Sequence, residues 1–324
     1  TRCSRDWSSD VCSSDLDRRS LSSGHRHFLP GGLQHRVANR YHDVTDGRSV
    51  LYFRSQQNLR QVELMSAIVV ENLCFHYDNR KPVLDNLSFT IETGSVTSIL
   101  GPNGSGKTTL LKLMLGLKKP VSGSIAIAGR PLDQIPLAER AKLLAYVPQQ
   151  HSPIFSYKAL DVVAMGRVPH AGIFCSLTKT DLEIARQNMA RLGIEHLADR
   201  PYTEISGGEQ QLVLVARALS QGAGILILDE PVAGLDYGNQ LLLLKHLRNL
   251  AGSGITCIKT THYPEHALWT SDQAIFIKNG RVAACGRSEE IINSEMLQQI
   301  YGAKINVLET NAGAYKIRTC VPEF

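Results

Sequence analysis

The run from residue 101 to residue 108 constrains the fold more than any other stretch of the sequence. It reads Gly-Pro-Asn-Gly-Ser-Gly-Lys-Thr and fits the pattern GxxxxGK[ST]. In this pattern the glycines let backbone N–H groups approach phosphate oxygens, while the lysine supplies charge and the hydroxyl binds a metal ion. The helix expected after such a loop points its N-terminal N–H groups at the anion. The run therefore predicts a nucleotide-binding α/β core.

Apolar runs and helical segments alternate around this loop, as an α/β core requires. Strands are predicted at 68–70, 87–91, 96–100, 125–127, 225–228 and 257–261. Helices are predicted at 108–117, 161–165, 181–192 and 210–219. Asn279-Gly280 between two apolar runs predicts a β-hairpin. The helices between about 151 and 220 indicate an inserted helical subdomain.

The overall composition suits a globular protein, with 43% hydrophobic and 20% charged residues. No apolar run approaches the roughly 18 to 20 residues that cross a bilayer. The seven cysteines are dispersed and form no CxxC pair. This spacing argues against a thiolate metal site and fits a reducing compartment.

The first 64 residues differ from the remainder. They contain ten arginines against seven acids, which accounts for most of the net charge of +5, and the first methionine of the chain is Met65. Residues 6–16 resemble the conceptual translation of a sequencing-adapter oligonucleotide. We therefore interpret 1–64 as a non-native or disordered extension, with 1–16 an adapter-like artefact. We expect the native chain to start at Met65 and residues 65–324 to form one domain.

Two acids follow the predicted strand 225–228. Asp229 could hold a magnesium ion together with Thr108, and Glu230 could polarise an attacking water. The alternative for an acidic pair at the end of a strand is capping of a helix N-terminus.

A second glycine-rich turn, Ser206-Gly-Gly208, opens the predicted helix 210–219 and offers another anion site. Glycines before a helix are also ordinary turn residues. His262 follows the strand 257–261, where a lone histidine is usually structural.

The order of these elements resembles the ATP-binding cassette (ABC) family over about residues 67–300. The resemblance rests on the loop 101–108, on Ile205-Ser-Gly-Gly-Glu209 and on Ile225-Leu-Ile-Leu-Asp-Glu230. It implies an α/β fold with a RecA-like P-loop NTPase core, an antiparallel β subdomain and an inserted α-helical subdomain. It also implies an ATPase that uses ATP and Mg²⁺. In that family two copies pair head to tail, so that the signature of one closes over ATP held by the phosphate loop of the other.

The resemblance assigns roles residue by residue. ATP binding falls on Tyr77, Gly101, Pro102, Asn103, Gly104, Ser105, Gly106, Lys107, Thr108 and Thr109, with Tyr77 stacking on adenine unless it is only a strand aromatic. The signature that acts on the partner's ATP is Ser206, Gly207, Gly208 and Glu209, where Glu209 and the preceding Ile205 replace the usual Gln and Leu. Catalytic roles fall on Glu230, His262 and Gln149. Magnesium ligands would be Thr108, Gln149 and Asp229, and Asp236 would lie in the loop that links the two sites of the dimer.

The segments 156–170 and 235–240 resemble importers of ferric siderophores, haem and cobalamin, and the related molybdate or tungstate importers. This likeness implies integral membrane permease subunits, an indirect solute-binding protein and a peripheral position on the cytoplasmic face of the inner membrane. Nucleic acid is not expected as a partner. A non-transport ABC ATPase acting on nucleic acid or ribosomes is the alternative of a different class, but its usual coiled coil, zinc module or second cassette has no counterpart here. A small-molecule kinase would have no use for residues 206–209 or for His262.

Overall fold

The computed structural model describes residues 66–78, 81–149, 156–170, 176–312 and 315–323. Our interpretation of residues 1–64 and of Met65 as the native start lies outside the described residues. Within the described ranges, no helix combines the length and the apolar character needed to cross a membrane.

The central sheet has six strands. They are Val96–Leu100 (β3), Leu144–Val147 (β6), Ile225–Leu228 (β7), Thr256–Thr261 (β8), Gln273–Lys278 (β9) and Arg281–Arg287 (β10). Their spatial order is β10-β9-β3-β8-β7-β6, and all pairs except β9 with β10 are parallel. Every residue of β3, β7 and β8 is buried. Such strands are typical of a parallel sheet that is covered on both faces.

A smaller antiparallel sheet supports the phosphate-loop helix. Its strands are Ser66–Phe75 (β1), Leu84–Glu92 (β2), Ser122–Ile127 (β4) and Arg130–Pro131 (β5), in the order β2-β1-β4-β5. Apolar side chains of this sheet share a buried cluster with the helix Lys107–Met114 (α1) and with one face of the central sheet. The mixed α/β fold with an antiparallel β subdomain, expected from the sequence, is confirmed.

Nine helices, including α1, complete the described part of the chain as far as residue 301, together with short 3₁₀ turns. Those after α1 are Leu137–Leu143 (α2), Ala159–Ala164 (α3), Lys179–Arg191 (α4), Gly207–Ser220 (α5), Tyr237–Gly252 (α6), Pro264–Thr270 (α7), Ser288–Ile291 (α8) and Ser294–Tyr301 (α9). Helices α3, α4 and α5 pack on one another around buried residues such as Val163, Met189 and Val213. These three helices fall within the predicted helical subdomain, whose limits at about 151 and 220 stay a prediction.

Some element bounds differ from the sequence-based ones. Helix α1 ends at Met114 instead of 117, because Leu115 is its C-cap and Gly116 turns the chain at a φ of 68°. Helix α5 starts at Gly207, three residues earlier than predicted, because Ser206 caps it. The helices α2, α6, α7, α8 and α9, the strands β5 and β6 and the C-terminal hairpin Ile305–Ala312 (β11) with Tyr315–Pro322 (β12) were not predicted.

The carboxyl ends of four neighbouring parallel strands meet at one edge of the central sheet. In spatial order, β3 leads into the phosphate loop, β8 into His262, β7 into Asp229 and β6 towards Gln149. Ligands of open α/β sheets bind at this edge. The topology therefore collects residues that are far apart in the sequence.

Candidate functional site

The phosphate loop ends at Gly106, which is the N-cap of α1. Its φ of 105° lies in the region that L side chains rarely adopt, and an added Cβ would lie 2.5 Å from Leu84 Cδ2. Glycine is therefore required here. No side chain caps the helix at this end. The first-turn N–H groups of α1 remain available for an anion.

Lys107 is the first residue of α1 and is buried. Its Nζ donates hydrogen bonds to the carbonyl oxygens of Gly101 (2.7 Å) and Pro102 (3.1 Å). Burial lowers its pKa, and the nearby carboxylates of Glu230 and Asp229 oppose that shift. Ser105 Oγ is buried without a hydrogen-bond partner among the described residues. The loop thus holds a cation and a hydroxyl without a partner among the described residues, and both could bind a phosphate.

The two acids after β7 are joined through Thr260. The Thr260 hydroxyl donates to Asp229 Oδ1 at 2.7 Å and accepts the backbone N–H of Glu230 at 2.7 Å. Our sequence reasoning gave Thr260 no role. The signal that could have found it is a polar residue in a buried strand, but its partner depends on the pairing of β7 with β8.

The Glu230 carboxylate lies between two other predicted site residues. Gln149 Nε2 donates to Glu230 Oε2 at 2.7 Å, and His262 Nε2 contacts Glu230 Oε1. The side chains of Asp229 and Glu230 therefore bond to neighbouring strands and loops instead of capping a helix. His262 likewise belongs to this constellation and is not an isolated structural histidine.

Lys107, Gln149, Glu230 and His262 face one cleft of about 520 Å³. Its lining residues are Val83, Asn103, Gly104, Gly106, Lys107, Thr108, Thr109, Gln149, Glu230 and His262. Tyr77 is connected to it, since its hydroxyl lies 3.4 Å from Thr109 Oγ1. The Tyr77 ring is partly exposed and stands edge-on to Phe75, at 4.8 Å between centroids.

The signature residues do not line this cleft. Ser206 is the N-cap of α5 and forms a capping box with Glu209: its N–H and hydroxyl donate to Glu209 Oε2, each at 2.8 Å, and Glu209 N–H returns a bond of 3.3 Å to Ser206 Oγ. These hydrogen bonds from Ser206 lower the pKa of Glu209. The structure therefore shows a conventional helix start here, with Ser206 satisfied within its own chain.

Asp236 lies next to the signature, at the start of α6. Its carboxylate accepts the backbone N–H of Asn239 (2.9 Å) and the Asn239 side-chain amide (2.6 Å). Asn239 also backs the signature, because a Cβ added to Gly208 would lie 2.6 Å from its amide group. The structure thus brings Asp236 and Gly208 together through Asn239, away from the phosphate loop's cleft.

The residues around the cleft fit a magnesium ion that is shared with phosphate. No group of three or more His, Cys, Asp or Glu side chains suited to a metal exists among the described residues. Oxygen donors are present in the Thr108 hydroxyl, the Asp229 carboxylate and the Gln149 amide. Mg²⁺ prefers such oxygen ligands and is usually held by one or two carboxylates plus substrate phosphates.

Sequence comparison assigns the chain to a known family. The profile of the ABC transporter family matches residues 84–233. An ABC transporter ATP-binding protein of Haemophilus influenzae is 38% identical over 71% of this chain and 88% of its own length. The molybdate import ATP-binding protein MolC of the same organism is 34% identical over 72% and 88%. An iron chelatin transport ATP-binding protein of Helicobacter pylori is 35% identical over 74% and 94%.

A solved structure agrees with these relatives. It is a metal-chelate type ABC transporter in an inward-facing conformation, with a TM-score of 0.72, 31% identity, and coverage of 80% of this chain and 98% of that one. The chain belongs to the ABC transporter family, as an ATP-binding subunit with ATPase activity. The ABC fold and the ATPase predicted from the sequence are confirmed.

Proposed function

We propose that this chain hydrolyses ATP to power import of a metal chelate through separate permease subunits, working as a head-to-tail pair. The main support for this proposal is the cleft in which Lys107, Gln149, Glu230 and His262 converge. The signature at 206–209 lies outside this cleft. In this proposal one copy supplies the phosphate loop and the residues that activate water, and a second copy supplies the remaining phosphate contact.

In the proposed reaction, the uncapped N-terminus of α1 and Lys107 bind the phosphates of ATP, and Tyr77 stacks on the adenine. Glu230 accepts a hydrogen bond from the attacking water and orients it, and His262 supports the γ-phosphate. Phosphoryl transfer needs mainly positioning and neutralisation of charge. The contacts of Glu230 with Gln149 and His262 hold its carboxylate at the cleft.

Magnesium completes the proposed site. When bound with ATP, Mg²⁺ neutralises charge on the phosphate oxygens. Thr108, Asp229 and Gln149 would hold it, since they are the oxygen donors beside the phosphate loop.

The second phosphate contact would come from a second copy. Ser206, Gly207 and Gly208 of one chain would face ATP on the phosphate loop of the other, at the N-terminus of α5. Asp236 would connect the two sites, supported by its contact with Asn239 and, through it, with Gly208.

The relatives support the cargo class. The iron chelatin protein and the metal-chelate transporter structure support a metal-chelate cargo, which we propose to be a ferric siderophore, haem or cobalamin. MolC supports the molybdate alternative. Permease subunits and a solute-binding protein would supply the specificity. The chain would then lie at the cytoplasmic face of the inner membrane through its permease.

Purification of the tagged chain from native membranes tests this proposal. We expect a polytopic membrane protein to co-purify, and ATP hydrolysis by the complex in liposomes to rise with a ferric chelate and its binding protein. If molybdate alone stimulated ATP hydrolysis, the proposed cargo would be molybdate instead of a metal chelate. Hydrolysis stimulated by nucleic acid, with no membrane protein attached, would overturn the transport function.

A further inference from the structure

One buried hydroxyl is bonded to both acids that follow β7. Thr260 has no exposed surface, and its Oγ1 lies 2.7 Å from Asp229 Oδ1 and 2.7 Å from the backbone nitrogen of Glu230. Thr260 is not among the residues that line the cleft. Its hydrogen bond to the backbone of Glu230 connects it to the cleft, because Glu230 is one of the lining residues.

The backbone of Glu230 is in a conformation that needs support. Its φ of 46° lies in the left-handed region, which residues with a side chain seldom adopt. The turn separates the two acids: Asp229 is buried against Thr260, whereas Glu230 meets Gln149 and His262 at the cleft. The bond from Glu230 N–H to Thr260 fixes this turn from the neighbouring strand.

We infer that Thr260 is a positioning residue for ATP hydrolysis. Its hydroxyl holds Glu230 in the backbone conformation that brings the carboxylate to Gln149 and His262. The same hydroxyl donates to Oδ1 of Asp229, whereas Oδ2 has no hydrogen bond from any of the described residues and could bind another ligand. The inference rests on the roles proposed above for Glu230 and Asp229.

The chain offers a matched control on the same strand. Thr261 is also buried, and its Oγ1 accepts the backbone N–H of Tyr263 at 3.1 Å. Adjacent strand residues point to opposite faces of the sheet. Threonine to valine at 260 or 261 keeps the shape and removes a buried hydroxyl, with two hydrogen bonds lost at 260 and one at 261, so the melting temperature is measured beside the rate to separate lost stability from lost activity. Only the change at 260 releases the two acids.

The experiment compares Thr260→Val, Thr260→Ser and Thr261→Val in the full chain, with kcat, KM, ATP affinity and melting temperature as readouts. A small misplacement of a catalytic group can cost on the order of 100-fold in rate. We expect kcat of Thr260→Val to fall at least about 10-fold below that of Thr261→Val, with ATP affinity within about threefold of wild type. Thr260→Ser should recover kcat to within about threefold, because serine keeps the hydroxyl.

Equal kcat for the two valine variants, or a serine variant as slow as Thr260→Val, would overturn the inference. Should valine at 260 prevent folding, Thr260→Cys takes its place, since a thiol keeps the volume but is a weak hydrogen-bonding group. Glu230→Gln is measured in parallel. Fast turnover in Glu230→Gln would refute the role of Glu230 itself, whereas a slow Glu230→Gln beside a normal Thr260→Val would refute only the role of Thr260.

Discussion

The helices α1 and α5 both begin at glycine-rich N-termini that look alike in sequence but differ in their surroundings. The N-terminus of α1 has no side-chain cap and opens on a cleft that also contains Glu230 and His262. The N-terminus of α5 is closed by the capping box of Ser206 and Glu209. The N-terminus of α1 opens on the candidate site, while that of α5 is capped within its own chain.

The difference shows why a glycine-rich turn does not define a function. Both starts offer the positive end of a helix dipole to an anion. At α1 the buried Lys107 is the first residue of the helix itself, and the loop after β7 adds the two acids Asp229 and Glu230, whereas at α5 the carboxylate of Glu209 closes the cap. The second start becomes part of a phosphate site only if another copy supplies the phosphate, and Ser206 must then change its hydrogen-bond partner.

The largest expected effect on ATP hydrolysis comes from a substitution at the N-terminus of α1. Lys107→Ala removes the buried cation of the loop and with it the favourable interaction of this charge with Glu230 and Asp229. We expect ATP hydrolysis to fall by about 1,000-fold or more, with weaker ATP binding. Lys112→Ala, on the same helix but outside the cleft, is the control and should keep wild-type activity. Comparable activity in the two variants would refute the site.

Ser206→Ala should separate binding from turnover. We expect hydrolysis to drop by about 100-fold, while ATP affinity of the single copy stays within about threefold, because Ser206 lies outside its own cleft. Thr178→Ala is the control, since Thr178 forms the same kind of capping box with Asp181 on α4. It should lose a similar stability but keep hydrolysis. Equal rates of ATP hydrolysis in the two variants would show that Ser206 acts only as a helix cap and has no role in turnover.

The two signature glycines should differ in stability. A Cβ at Gly208 would lie 2.6 Å from Asn239, whereas a Cβ at Gly207 meets nothing within 4 Å. Gly208→Ala should therefore cost about 1 to 3 kcal/mol of unfolding free energy, by analogy with overpacked cores. Gly207→Ala should stay within about 0.5 kcal/mol of wild type. Denaturant unfolding measures both, and equal stabilities would contradict the packing of Asn239 on Gly208.

The smallest effect concerns the charge of Glu209. Its folded-state pKa is lowered by the Ser206 hydrogen bonds, so its stabilisation is fully present above its unfolded pKa of about 4.3 and is lost as pH falls through the folded value. Glu209→Gln should therefore lower the melting temperature at pH 7 and converge with wild type at low pH. Asp181, whose pKa is lowered to about 2, mainly by Thr178, should keep its contribution to a lower pH. If the melting temperatures of Glu209→Gln and wild type differed by the same amount at pH 7 and at low pH, the charged capping box would be contradicted.

Local sequence patterns predicted the parts of the site that lie in continuous runs. The phosphate loop and the pair Asp229-Glu230 are examples, because the chemistry and the strand that presents it are adjacent in the chain. Thr260 could not be assigned, since its partners come from the neighbouring strand β7. Nor could the sequence show that Glu230 adopts a positive φ, because the bonds that support this turn come from β8 and from Gln149 and His262.

The missed elements have physical causes of their own. The hairpin of β11 and β12 has exposed apolar residues such as Leu308 and Ile317, so its alternation of buried and exposed positions is weak. Helix α6 starts at the side-chain cap of Asp236, which the sequence analysis considered only as part of a loop. The short strand β6 is fixed by its pairing with β7 more than by its four residues.

In the proposed pair, ATP is enclosed between the phosphate loop of one copy and the signature of another. Light scattering of Glu230→Gln with and without ATP tests it most directly, because this variant should bind ATP and turn it over slowly. We expect the mass of two copies with ATP and of one copy without it, and the mass of one copy for Glu230→Gln/Ser206→Arg despite unchanged ATP binding. A single-copy mass for Glu230→Gln at saturating ATP, or an undiminished dimer in the double variant, would contradict the claim.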